Sequence, residues 1–307
     1  MNSQMCKIGF GLLAGVLTTK SSRACACGCG VFDVGTSSMF PTGKGMVAYL
    51  TYDYQNQNHN WSGSSSAPAV DNDDRKIGTQ SYIFGLQSMF NRSWGAQIEI
   101  PYVDRTFDNA SNAASLRWSQ FGDVRLRGIY TGFSDDMSSG LTMGVKLPTG
   151  DFQHGEALGG IDRDTQVGTG STDLLLGGFT RGRLFSEASW NWFAQGQLDA
   201  PIFAQDQYRP GLEVDAAAGV YYDGLSLGWA RVSPVLQVIG SVRGRDSGLA
   251  ANRADTGYQR VLVSPGIEIH VDSVKIYADV ELPIYQHMNG NQLVAPLLLK
   301  LSVSTMF

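Results

Sequence analysis

The run from Gln292 to Phe307, QLVAPLLLKLSVSTMF, restricts what this chain can become more than any other stretch. Leu293, Ala295, Leu297, Leu299, Leu301, Val303, Thr305 and Phe307 fall on one side of an extended backbone. Val294, Pro296, Leu298, Lys300, Ser302, Ser304 and Met306 fall on the other. The first set is almost wholly apolar and the second is mixed. Side chains of a strand alternate with a period of two, so this strand meets two different environments. It is also longer than most strands of globular domains. A buried strand of a soluble β-sandwich would satisfy the same pattern, so the rest of the chain must decide.

Composition narrows the choice. Only 17% of the 307 residues are charged, the net charge is -5, and 37 glycines stand against 10 prolines. Mean hydropathy is -0.11, and no apolar run approaches the roughly 20 residues of a transmembrane helix. A membrane β-barrel fits, because about half of its strand residues face water and the average stays polar.

Period-two alternation recurs along the chain, over 45–55, 77–90, 94–103, 123–133, 141–147, 173–181, 190–199, 212–222, 227–240, 258–271, 274–285 and 292–307. The period falters near Ala230. The polar connections are 56–75, 104–121, 149–169, a shorter 205–210, 241–257 and a shorter 286–291. Between them lie tight turns at Asn91-Arg92-Ser93, Asp135-Asp136, Asp223-Gly224 and Asp272-Ser273. Long and short connections alternate for most of the chain. The expectation is an all-β, antiparallel transmembrane barrel of about twelve strands, with short periplasmic turns and long extracellular loops. The final strand, ending in an aromatic, resembles the C-terminal insertion signal of bacterial outer-membrane barrels. That resemblance implies outer-membrane lipid and the barrel-assembly machinery as partners in a Gram-negative envelope.

Aromatics give an independent check. Phe90, Trp94, Tyr130, Trp190, Trp192, Tyr222 and Phe307 sit at short-turn strand ends on the parity assigned to lipid, where a periplasmic girdle belongs. On the opposite parity stand Glu99, Asp123, Arg125, Arg127, Lys146, Asp173, Arg181, Asp199, Glu213, Asp215, Glu268, His270, Lys275, Asp279, Glu281 and Lys300. Charges of both signs pointing inward imply a wet or salt-bridged lumen. Twelve strands lie between small filled barrels and open porins, so the pore is expected to be narrow or plugged.

The N-terminus has the features of an export signal: Lys7, an apolar core over 8–17, and the A-x-A-like Ala24-Cys25-Ala26. Residues 1–26 are therefore assigned to a signal peptide, 27–43 to a Cys- and Gly-containing periplasmic segment that could fold back into the lumen, and 44–307 to the barrel. A lipoprotein reading would place Cys25 or Cys27 at the mature end. The run Cys25-Ala26-Cys27-Gly28-Cys29-Gly30 lacks the C-x₂₋₄-C spacing of structural zinc sites. Cys27 and Cys29 could converge on a soft ion such as Cu(I) or zinc, or form an envelope disulfide. No other cofactor is expected.

Enzymatic activity is not expected. The four histidines, His59, His154, His270 and His287, lie in loops or on the lumen parity, and no Ser/His pair is evident on the outward face. Energised import is not expected either, because no large N-terminal plug domain is present, and no nucleic-acid partner is implied.

Two short motifs suggest a relationship. Leu147-Pro148-Thr149-Gly150-Asp151 closes one strand, and Gly168-Thr169-Gly170-Ser171-Thr172-Asp173-Leu174-Leu175-Leu176-Gly177 opens the next. This "LPTG … GTGSxD" pattern resembles the outer-membrane family associated with meta-pathway phenol degradation, over strands four to twelve. The resemblance implies a channel or transporter for small, aromatic or hydrophobic compounds, and supplies no catalytic residues. Two further readings stay open: a barrel whose cysteines serve envelope metal handling or a redox partner, and a structural barrel with a closed lumen.

Overall fold

The computed structural model describes residues 25–26, 40–72, 74–109, 114–154, 161–185 and 189–307. Twelve antiparallel strands run up and down in chain order. They are β1 (Gly45–Gln57), β2 (Arg75–Met89), β3 (Trp94–Asn109), β4 in two segments (Ala114–Phe121 and Val124–Tyr130), β5 (Ser139–Leu147), β6 (Ser171–Arg183), β7 (Trp190–Ala204), β8 (Glu213–Tyr222), β9 (Arg231–Arg243), β10 (Tyr258–Val271), β11 (Val274–Val294) and β12 (Leu298–Met306). β12 pairs with β1 from Leu298↔Gln55 to Met306↔Val47, which closes the sheet. Met46 and Phe307 exchange backbone hydrogen bonds of 2.9 and 3.0 Å, so the barrel begins and ends on the same rim. Closure leaves no free edge, the condition for a sheet to sit in hydrocarbon.

The alternation sets the two surfaces. Leu50, Phe84, Met143, Leu236, Ile267 and Leu301 point outward and are exposed. Such a continuous apolar ring would be a liability in water and is what a lipid belt requires. Their strand neighbours Thr51, Gln87, Gln237, Ser264 and Ser302 point inward and are buried. Among the described residues no helix is long and apolar enough to cross a membrane.

Several boundaries differ from expectation. The 104–121 loop is largely strand: β3 reaches Asn109 and pairs with Ala114–Phe121 from Tyr102↔Phe121 to Asn109↔Ala114. Above the lipid belt both faces of a strand are wet, so its sequence turns polar and reads as loop. The 286–291 loop is likewise part of β11, whose upper end pairs with the short strand His59–Gly63 inside the 56–75 connection. The terminal strand starts at Leu298 rather than Gln292. Its hairpin is residues 295–297, a short connection at the extracellular end. β9 starts at Arg231, after the faltering period, and Leu225–Ser226 folds back on it.

Candidate functional site

The inner wall is built by register. Across β3, β4, β5 and β6, Glu99, Arg125, Lys146 and Asp173 stand directly opposite one another in a single row. Glu99–Arg125 and Lys146–Asp173 are cross-strand pairs of opposite sign, which stabilise a ladder, while Arg125 and Lys146 face each other with like charge. Lys146 Nζ contacts Asp173 and lies 3.3 Å from Asp199 Oδ2. Arg127 forms an ion pair with Glu99 and donates to Gln197 Oε1 at 3.0 Å. Tyr49 Oη donates to Glu99 Oε1 at 2.7 Å. Its ring lies where a Cβ at Gly85 would stand, 1.9 Å from Tyr49 Cζ, so only glycine fits opposite it. On the far wall Asp53, Lys300 and Asp279 form a second row. Asp279 Oδ2 accepts from Gln237, Ser264 and Tyr277 at 2.9, 2.6 and 2.7 Å.

Two chambers occupy the lumen. The upper one, about 190 Å³, is lined by Asp53, Arg105, Asp123, Lys146, Asp199 and Glu213 among others. The lower one, about 140 Å³, is lined by Phe40, Tyr49, Gln97, Arg127, Phe179 and Gln195 among others. Ile83, Glu99 and Arg125 border both, so the charged row marks their junction.

The upper chamber is roofed by the connection between β5 and β6, which folds inward. Its base is the two motifs noted in the sequence. Asp123, buried, accepts from Gly150 N (3.0 Å), Thr169 N (2.9 Å) and Thr169 Oγ1 (2.7 Å). Gly150 and Gly168 touch backbone to backbone: a Cβ on Gly168 would stand 2.2 Å from Gly150 O. The GTG and PTG strings are thus a close-packed seam pinned by one carboxylate. Further along, Arg105 donates to Thr165 O and Gln166 O, at 2.5 and 3.1 Å. Arg163 lies between the rings of Phe152 and Tyr208, at 4.5 and 4.9 Å. Tyr208 Oη donates to Asp246 Oδ2 at 2.6 Å. Burial, reinforced by Asp246, pushes this hydroxyl well above the ordinary tyrosine range, so it stays a donor.

The lower chamber is floored by Phe40 and Pro41. The Phe40 ring, 8% exposed, stacks on Phe179 at 4.7 Å and 10° and meets Phe193 edge-on at 6.1 Å. Val235 and Tyr277 complete this apolar cluster. Arg181 donates to Pro41 O at 2.9 Å.

The remaining singled-out residues distribute as follows. Asp215 is 1% exposed, and Glu213 accepts from Tyr258 Oη at 2.6 Å. Glu281 and Lys300 are buried on β11 and β12. Glu268, His270 and Lys275 are half-buried near the periplasmic rim, with His270 opposite Lys275. Phe90, Trp94, Trp190 and Phe307 are exposed at the rim, while Tyr130, Trp192 and Tyr222 are half-buried there. Trp94 packs on Tyr130 at 4.7 Å and Trp190 on Tyr222 at 5.3 Å. Cys27 and Cys29 lie outside the described residues. Among the described residues no group of three or more His, Cys, Asp or Glu is placed to hold a metal.

Sequence reasoning missed Asp53, Arg105, Arg260 and the roof pair Arg163 and Asp164. Asp53 and Arg260 share the inward parity of their neighbours and were findable by alternation. Arg105 was hidden by the loop assignment. The expectation of no enzymatic activity also supposes that no G-x-S-x-G motif is present, whereas Gly224-Leu225-Ser226-Leu227-Gly228 has that nucleophile-elbow spacing. In the structure Ser226 is exposed in the two-residue strand Leu225–Ser226 and sits opposite Arg231, which itself sits opposite His270. One whole strand therefore separates serine from histidine, about 10 Å at the usual spacing, too far for a hydrogen bond. Ser64 Oγ does lie 2.9 Å from His287 Nδ1, in an exposed hairpin where no carboxylate among the described residues orients the imidazole.

Neither a protein-family model nor a curated protein matches this chain. Among solved structures, an outer-membrane channel from Pseudomonas putida F1 is similar, with a TM-score of 0.66 at 12% identity over 89% of this chain and 100% of that one. The β-domain of the Bordetella autotransporter BrkA gives a TM-score of 0.51 at 11% identity, over 86% and 100%. The fold is that of an outer-membrane β-barrel. The phenol-degradation resemblance rests on its motif residues alone.

Proposed function

We propose that this protein is a narrow outer-membrane channel for small solutes, held shut in the conformation seen here. The observation that carries the reading is the pair of polar-lined chambers joined at Glu99 and Arg125 inside a closed, lipid-belted barrel. Charges facing a wet lumen are the usual lining of such pores. The similar structure from Pseudomonas putida F1 is an outer-membrane channel, which agrees. The chambers, at about 190 and 140 Å³, suit molecules of a few heavy atoms rather than oligomers. Aromatic or hydrophobic compounds are the finer proposal, supported by the motif resemblance and by the aromatic floor. The closing strand Leu298–Met306, paired with β1, would be the element taken by the barrel-assembly machinery.

Planar-bilayer recording of the refolded protein tests this. Stepwise conductance, rare in the wild type, is expected. Complete silence under every voltage and in every floor variant would contradict it. A second reading, a closed structural barrel, is favoured by the Lys146–Asp173–Asp199 and Arg127–Glu99 groups that fill the wall between the chambers. Silence would establish that one instead.

A further inference from the structure

Phe40 sits in the lumen as a ligand would. Its ring is held face-on by Phe179 at 4.7 Å and 10°, and edge-on by Phe193 at 6.1 Å and 67°. These are the two arrangements that aromatic quadrupoles favour. The socket is shaped for a flat group. Gly140 opposes Phe179, and a Cβ there would lie 2.6 Å from that ring, so glycine alone lets Phe179 lie flat on the wall. Gly178 and Gly196 keep the adjoining lining low. A polar handle completes the arrangement, because Arg181 donates to Pro41 O at 2.9 Å. The occupant therefore offers one planar ring and one oxygen acceptor. The guanidinium fork of an arginine suits a carboxylate better than the single carbonyl it now holds.

The geometry points to a ring-binding site for small aromatic carboxylates at the periplasmic end of the lumen, occupied in cis by Phe40. This deepens the channel reading and rests on it. A solute descending from the upper chamber meets the lower chamber, whose floor is the Phe40 ring itself. An aryl acid that takes the ring's place on Phe179 and the carbonyl's place on Arg181 releases the floor. The solute that fits the socket is thus also the one that opens it.

Equilibrium dialysis of benzoate against the full-length protein in detergent micelles tests the site. Cyclohexanecarboxylate, with equal charge and a non-planar ring, is the control. Removing the competitor in Phe40→Ala should tighten benzoate binding about tenfold, as expected when the free socket is a minor population in the wild type. Arg181→Gln in that background should abolish the gain, and the control acid should bind weakly throughout. Phe40→Leu keeps the apolar volume but loses the stack, and should bind between the two if Phe40→Ala folds poorly. Equal benzoate binding by wild type and both Phe40 variants, or equal binding of the two acids, would overturn the site. Conductance in Phe40→Ala without selective benzoate binding would also overturn it and leave the channel standing. Selective binding without conductance would remove the channel and keep the socket.

Discussion

The two ends of the lumen are narrowed by opposite means. The extracellular roof is a length of chain fixed by many polar contacts: Asp123 alone accepts three hydrogen bonds, and Arg105 and Arg163 hold the carbonyls beyond. Among the described residues, the periplasmic floor is one ring and one hydrogen bond. Hydrogen bonds to a buried carboxylate contribute roughly 1.5–3 kcal/mol each, so the roof is a permanent part of the fold. Burying a Phe ring contributes about 1.5–3 kcal/mol, while ordering each backbone residue costs about 1–2 kcal/mol. The floor is therefore near balance. The roof narrows the upper end without sealing it, and only the floor is poised to move.

Substitutions can break that contrast, and the largest effect is expected between the two ends. Lys146→Ala would leave Asp173 and Asp199 facing each other in a buried wall, costing about 3–5 kcal/mol. Urea unfolding in lipid vesicles should show the loss, with the upper half opening first. Asp123→Ala strands three donors and should cost about 3 kcal/mol. Hydrogen exchange should rise at residues 161–169 while the amides of β6 around Phe179 and Arg181 stay protected. If exchange rose equally at both ends, the roof and floor would be one unit and the contrast would fail. Phe40→Ala should cost about 1 kcal/mol or less in the same unfolding assay, since burial and ordering nearly cancel. A loss as large as that of Asp123→Ala would show that the floor is structural as well.

The smallest effect is expected outside the membrane. Asp104, on the wet upper part of β3, is held below the usual carboxylate range chiefly by its hydrogen bond from Arg117. A depressed folded-state value means that the pair's contribution is present above the unfolded-state value and disappears as pH falls through the folded one. Exchange protection of the β3–β4 extension should therefore drop slightly on acidification below about pH 4. Asp104→Asn should remove that pH dependence without changing the roof.

The parts legible in the sequence are those where one face of a strand meets lipid. There alternation is enforced, and the strands around Leu236, Ile267 and Leu301 declare themselves. Where both faces are wet, as at 104–109 and 286–291, nothing enforces a period, and strand reads as loop. The motif glycines were visible as turn formers, yet their contact with each other and with Asp123 is a tertiary fact. Register did the same for Lys146: parity could place it inward, but only the pairing of β5 with β6 set it against Asp173. Phe40 carried no signal, because a single aromatic before the first strand has no period to belong to.

The most direct test of the account is single-channel recording of wild type, Asp123→Ala and Phe40→Ala side by side. If the floor is the gate, Phe40→Ala conducts steadily while Asp123→Ala stays as quiet as the wild type. If Asp123→Ala opens and Phe40→Ala does not, the gate is the roof, and the contrast between the two ends is wrong.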